Sequence, residues 1–144
     1  PGVTLRTTVM TGFPGETASA FARMLADVKR MKFDHLGVFT YSPEEGTAGA
    51  AMKGRPSVKV AQSRALKIMA AQKKIWAAKA KAMLGSEQVA LVVSPGIARL
   101  ESQAPDVDGV VRFTEEDAAA APVGEFVLVR LVAAKGYDFI GELV

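Results

Sequence analysis

Two short strings hold the residue types and spacings that chemistry could use. The first is Gly12-Phe13-Pro14-Gly15-Glu16-Thr17. Glycines let a backbone approach a ligand closely, Pro14 fixes a turn, and the amides entering the helix that follows could face an anionic or polar group. The plain alternative is a strand-to-helix turn with Thr17 as its cap. It is not a nucleotide P-loop, because it lacks that motif's spacing and its Gly-Lys-Ser/Thr ending. The second string is Phe39-Thr40-Tyr41-Ser42-Pro43-Glu44-Glu45-Gly46-Thr47. Tyr41 or Ser42, turned inward, would line a ligand site; Phe39 reads as core filling, and Tyr41 reads as a site residue in preference to a cap over that core. Glu44 and Glu45 read as an acid–base pair or, preferably, as a polar rim. His35 is the only histidine, and there are no cysteines. A serine-type triad and a soft-ligand metal site therefore find no support, and disulfides are excluded.

The surrounding pattern says how these strings are held. Each follows an apolar run that reads as a buried strand, Leu5 to Thr11 and Leu36 to Thr40. Between them Ala18 to Met31 has helical spacing, with Phe21, Leu25 and Val28 on one face. Strand, helix, strand is a right-handed crossover unit of a parallel sheet. Both strings thus fall at carboxyl ends of parallel strands, where α/β folds place their sites. Gly46 to Gly54 reads as a loop. Pro56 to Leu84 is the longest helix, with Ser57 as N-cap and Gly85 as its stop. Ala61, Ala65, Ile68, Met69, Ile75 and Trp76 make its apolar stripe. Lys59, Lys67, Lys73, Lys74 and Lys81 form a basic face, read as solvated and, secondarily, as a rail facing ribosomal RNA or another polyanion. Beyond Gly85 the period becomes two. Short strands are expected at Val89 to Val93, Ile97 to Leu100, Val110 to Phe113, Phe126 to Val132 and Tyr137 to Leu143, a small closed barrel of the oligonucleotide-binding type. Ala118 to Ala121 reads as a variable turn.

The 144 residues are 49% hydrophobic and 23% charged, and no apolar run approaches a membrane span. With no cysteine to oxidise, the cytoplasm is the expected compartment. The net charge of +3 hides a division. Residues 1–85 hold 14 Lys/Arg against five Asp/Glu, whereas residues 86–144 hold four against ten. The acids of the second half include Glu101, Asp106, Asp108, Glu115, Glu116 and Asp117, which would repel RNA and attract a lysine- and arginine-rich protein.

At this point a resemblance adds to the reading. Gly12-Phe13-Pro14-Gly15-Glu16-Thr17 followed by Val38-Phe39-Thr40-Tyr41-Ser42-Pro43-Glu44-Glu45-Gly46-Thr47 resembles the last two strands of the radical S-adenosylmethionine barrel in the methylthiotransferase family. Gln103 to Val111, Gly124 to Val127 and Tyr137 to Gly141 resemble that family's TRAM domain. Glu44-Glu45-Gly46-Thr47 is similar to the branch that modifies an aspartate of a small-subunit ribosomal protein; the transfer-RNA-modifying branch usually carries Arg-Pro-Gly-Thr there.

The resemblance implies an α/β piece, residues 1–79, forming the last βαβ part of a TIM-like barrel with its linking helix, and an all-β, five-stranded TRAM barrel at 80–144. Starting at Pro1, the chain is expected to be a piece of a longer protein. The implied cofactors are S-adenosylmethionine and two [4Fe–4S] clusters. A reduced cluster would cleave the former to a deoxyadenosyl radical, which takes hydrogen from the aspartate β-carbon before a methylthio group is delivered. The cluster cysteines are not in this chain, so by itself it should be inactive and holds no assignable catalytic acid or base. Gly12, Phe13, Gly15, Tyr41 and Ser42 would lie at the cofactor; Glu44, Glu45, Asp106 and Asp108 would dock a basic ribosomal protein of the small subunit. Gly12 to Thr17 resembles by position the fifth-strand motif of radical S-adenosylmethionine enzymes, which packs beside the adenine; in its common form G-x-I-x-G-x-x-E, Met10 and Gly12 fit, but Thr8 replaces the first glycine and Glu16 comes one residue late. Rival readings are a transfer-RNA-modifying sibling or RNA-binding TRAM module, and a non-catalytic assembly domain.

Overall fold

Arg6–Thr11 and His35–Thr40 form strands β1 and β2, with helix α1, Ala18–Met31, between them. The computed structural model describes residues 2–144. β1 and β2 pair in parallel from Arg6 opposite His35 to Thr11 opposite Thr40. Thr17 caps α1, its hydroxyl accepting from the Ala20 amide at 3.1 Å. Lys29 and Arg30 lie in the last turn, where the helix dipole favours cations, and Lys32 closes the helix in the left-handed region.

Helices α2, Ala48–Ala51, and α3, Val58–Met83, follow. The first falls inside the stretch expected to be loop. Alanine is the best helix former, and Thr47 supplies a cap to the Ala50 amide, so one turn forms there. Ser57 caps α3 through the Val60 amide at 3.3 Å, as its position predicts.

The chain divides into two units, residues 1–76 and 77–144. In the first, Phe21, Val28, Leu36 and Ile68 form the core, with Val9, Met24, Leu25, Phe33, Val38 and Ile75 packed around them. Two expectations change. Met69 is exposed, because the helical pitch carries it away from Ile68 and Ala61. Its place in the buried stripe goes to Gln72, only 1% exposed, whose amide donates to the carbonyls of Phe33 and Asp34 and so pins the turn into β2. His35 is buried with its ring 5.5 Å from that of Trp76, a packing role.

In the second unit β3, Glu87–Ser94, β4, Ile97–Leu100, β5, Val111–Arg112, β6, Phe126–Lys135, and β7, Asp138–Leu143, close into a barrel in the order β3-β4-β5-β7-β6. The β5–β7 pair is parallel and the others antiparallel. Ala90, Val92, Ala98, Leu100, Val111, Val129, Leu131 and Phe139 fill it. Small residues allow its closure: a Cβ on Gly109 would lie 1.8 Å from the Tyr137 carbonyl oxygen, and one on Gly141 2.6 Å from Val111. Register shifts on β3 and β6 bend those strands around the barrel. Residues 115–120 form helix α4, where a turn was expected at the alanine tract. Thr114 caps it, bonding the Asp117 amide while its hydroxyl meets the Asp117 carboxylate, and three acids occupy the first turn.

Candidate functional site

The carboxyl ends of β1 and β2 carry the two strings onward side by side. The Tyr41 amide donates to the Thr11 carbonyl at 2.8 Å, extending the pairing by one residue. Beyond it the Phe13 and Tyr41 rings meet edge to face, centroids 5.0 Å apart. Gly49 lies under them: a Cβ there would be 2.7 Å from the Tyr41 hydroxyl and 3.4 Å from the Phe13 ring. Only a residue without a side chain lets Tyr41 lie flat against this turn.

An open cleft of about 480 Å³ is lined by Met10, Phe13, Phe39, Thr40, Tyr41, Ser42, Glu44, Thr47 and Gly49. Its floor is apolar and its lip polar, the usual build of a small-molecule site. Phe39 was expected to fill a core. It is instead 49% exposed, opposite Met10 on the sheet face turned away from the Val9 and Val38 cluster. The Tyr41 hydroxyl is buried and makes no hydrogen bond. A buried polar atom without a partner costs roughly 1–3 kcal/mol, so a group that reaches it gains correspondingly.

The first string is held from behind by α3. The Thr11 hydroxyl donates to the Ala61 carbonyl at 2.9 Å. Gly12 has φ +84° and a Cβ there would lie 2.5 Å from that of Ala61, so both conformation and space require glycine. Glu16 is the keystone. Its carboxylate accepts from the Gly12 amide at 2.7 Å and pairs with Arg64 at 2.5 Å, both side chains being about nine-tenths buried. Arg64 also donates to the Glu16 carbonyl and covers the Phe21 ring. The Gly15 amide bonds the Gly54 carbonyl, and the Glu16 amide that of Phe13. The Gly12, Gly15 and Glu16 amides are thus spent within the fold, and of the amides entering α1 that of Ala20 is taken by Thr17.

The structure brings Phe13, Tyr41, Ser42 and Glu44 onto one cleft. Gly12 and Gly15 shape the turn behind it, and Glu45 is exposed beside Glu44. Asp106 and Asp108 belong to the other unit. There the Asp108 carboxylate accepts from the Ala104 amide at 2.7 Å, closing its own loop, and Asp106 takes φ +59° in that loop. Sequence reasoning saw Glu16 only as a displaced motif residue, not as the partner of Arg64, and missed Arg64 and Gly49. Arg64 had a signal: it falls between Ala61 and Ile68, inside the buried stripe of α3, and a cation there needs an acid. Gly49 had none, since nothing in a run of small residues marks the one beneath an aromatic ring.

Among the described residues no three His, Asp or Glu side chains gather as a metal site. No described helix is long and apolar enough to cross a membrane.

Residues 90–144 match the TRAM domain family. Along its whole length the chain is 38% identical to the ribosomal protein uS12 methylthiotransferase RimO of Solibacter usitatus, covering 32% of that protein. It is 41% identical over 97% of its length to the protein of the same name from Opitutus terrae, covering 29% of it. With that of Syntrophotalea carbinolica it shares 40% over its full length and 32% of the relative. The chain spans about a third of the length of the curated relatives it matches.

Proposed function

We propose, from the premise that the chain belongs to the methylthiotransferase family over the third of that family's length it spans, that it contributes one wall of an adenosyl-binding cleft and a protein-docking barrel to an enzyme that methylthiolates an aspartate of a small-subunit ribosomal protein. The whole-chain likeness to uS12 methylthiotransferases supports the reaction class. One observation carries the site: the buried, unpartnered Tyr41 hydroxyl between the Phe13 ring and Gly49, at the carboxyl ends of two parallel strands.

The residues fit S-adenosylmethionine. Phe13, Phe39 and Met10 offer an apolar surface to a purine, and the Tyr41 hydroxyl and Ser42 offer polar atoms to ring nitrogens or a ribose. They do not fit the iron–sulfur clusters, since the chain has no cysteine, and no step is assigned to it through them. Bound, S-adenosylmethionine supplies the hydrogen-abstracting chemistry; the chain's own part is to orient it and keep water away. Glu44 and Glu45, exposed at the lip, and the acidic exterior of the barrel, with Asp106 and Asp108 among its acids, favour a basic protein partner by charge.

The test replaces the corresponding third of the Opitutus terrae relative with this chain, reconstitutes the clusters and weighs purified uS12. A methylthio mass gain is expected. No gain from a folded, cluster-loaded chimera would overturn the reading and favour a non-catalytic assembly role. In the same chimera Tyr41→Phe should weaken S-adenosylmethionine binding about tenfold, the worth of roughly one good hydrogen bond, while leaving the chain's stability unchanged or slightly raised. Unaltered affinity would remove Tyr41 from the site.

A further inference from the structure

Residues 46–86 contain nine Lys/Arg and not one Asp or Glu. Most of that run is α3, which has six lysines and one arginine. Arg64 is spent on Glu16 and Lys79 is half-buried. Lys59, Lys67, Lys73, Lys74 and Lys81 are exposed, and none makes an ion pair among the described residues.

Their placement is periodic. Lys67, Lys74 and Lys81 recur every seven residues, which keeps them within about 20° of one line per step and about 10 Å apart. Lys59 lies about 80° round the helix from Lys67, at the edge of the same basic side, and Ser63, Ala70 and Ala78 are the small residues between. Helix stability does not explain this. The dipole favours cations in the last turn only, which accounts for Lys81. Lys59 stands in the first turn, where a cation is unfavourable and where α3 has no acid. A face built for solubility alone would mix in glutamates four residues from lysines. The charges also lie about a Debye length apart, so they repel one another at low salt.

We propose that this face of α3 binds the phosphate backbone of structured RNA without reading its sequence. Lysine heads are point charges suited to phosphates, and the stripe holds no Arg, Asn or Gln to read base edges. A lipid surface suits it less. Ile68 and Trp76 are buried, and the exposed Val58, Leu66 and Met69 share their side of the helix with Gln62 and Lys73, whereas an interfacial helix needs a continuous free apolar face. The choice of RNA over DNA rests on the proposed ribosomal substrate, which lives among RNA; the phosphate chemistry rests on α3 alone.

The experiment measures binding of the 144-residue chain to a fluorescent RNA duplex, a DNA duplex of equal length and vesicles of mixed anionic and neutral lipid, from 50 to 300 mM salt. RNA affinity should fall steeply, with a log–log slope of about −3 to −4. The triple variant Lys59→Gln, Lys67→Gln, Lys74→Gln, with its helix content checked by circular dichroism, should lose at least tenfold in affinity at 100 mM salt and flatten the slope by about two to three. Lys29→Gln with Lys135→Gln, which removes two exposed charges away from α3, should change both values far less. No RNA binding at 50 mM salt, an unchanged slope in the triple variant, or binding to vesicles alone would overturn the proposal. Tighter binding to DNA than to RNA would overturn the assignment to RNA. A methylthio mass gain from the chimera despite any of these would leave the proposed function standing, so the two failures are separable.

Discussion

Glu16 shows how much one side chain can carry behind a ligand cleft. It holds the Gly12 amide and the Arg64 guanidinium together, nine-tenths out of water, and the turn that presents Phe13 hangs on both. Removing one partner of such a pair leaves a buried charge uncompensated. Glu16→Gln should therefore cost about 3 kcal/mol in denaturant unfolding, and Arg64→Leu on that background should cost little more, a double-mutant cycle with strong coupling. Additive losses would mean the two side chains act separately. Residue types were only partly legible here. Thr17 and Ser57 announced themselves as caps because their side chains bond local amides, which sequence neighbours reveal. Glu16 and Gln72 bond partners 48 and 39 positions away, and nothing in the string alone marks such distant mates.

Elements were the most legible level, because periodicity reports burial directly. Helix α1 runs Ala18–Met31, as its spacing predicts, and all five strands of the barrel lie where alternation places them. The misses share one cause. Two short helices, α2 and α4, form in alanine-rich stretches too brief to show a period, each started by a threonine cap. The barrel depends on a position that pattern cannot flag. Gly109 lets the chain pass the Tyr137 carbonyl at a distance no Cβ could tolerate. Gly109→Ala should cost more than about 3 kcal/mol, through loss of the β5–β7 pairing, and should collapse the dispersed amide spectrum of residues 77–144. A well-dispersed, stable variant would show that the loop can relax.

At the scale of the whole molecule, two unlike solutions to strand edges share one chain. Among the described residues β1 and β2 pair only with each other, and Phe13, Phe39 and Leu5 stand exposed beside them. An isolated 1–85 segment should self-associate; a monodisperse monomer by light scattering would contradict that. Residues 77–144 should behave oppositely, giving a monomer with a cooperative melt. The likeness to uS12 methylthiotransferases was legible from long ordered strings, and so were the TRAM match and the charge division between the halves. The pairing of cleft and orphaned hydroxyl was not, because it needs Gly49 folded under Tyr41. The closed barrel has an evolutionary corollary. In it β6 pairs with both β3 and β7, so the ring leaves no ladder waiting for an outside strand. A module sealed in this way is portable: it can be grafted behind unrelated machinery, and its cargo preference can drift, without retuning the host that carries it.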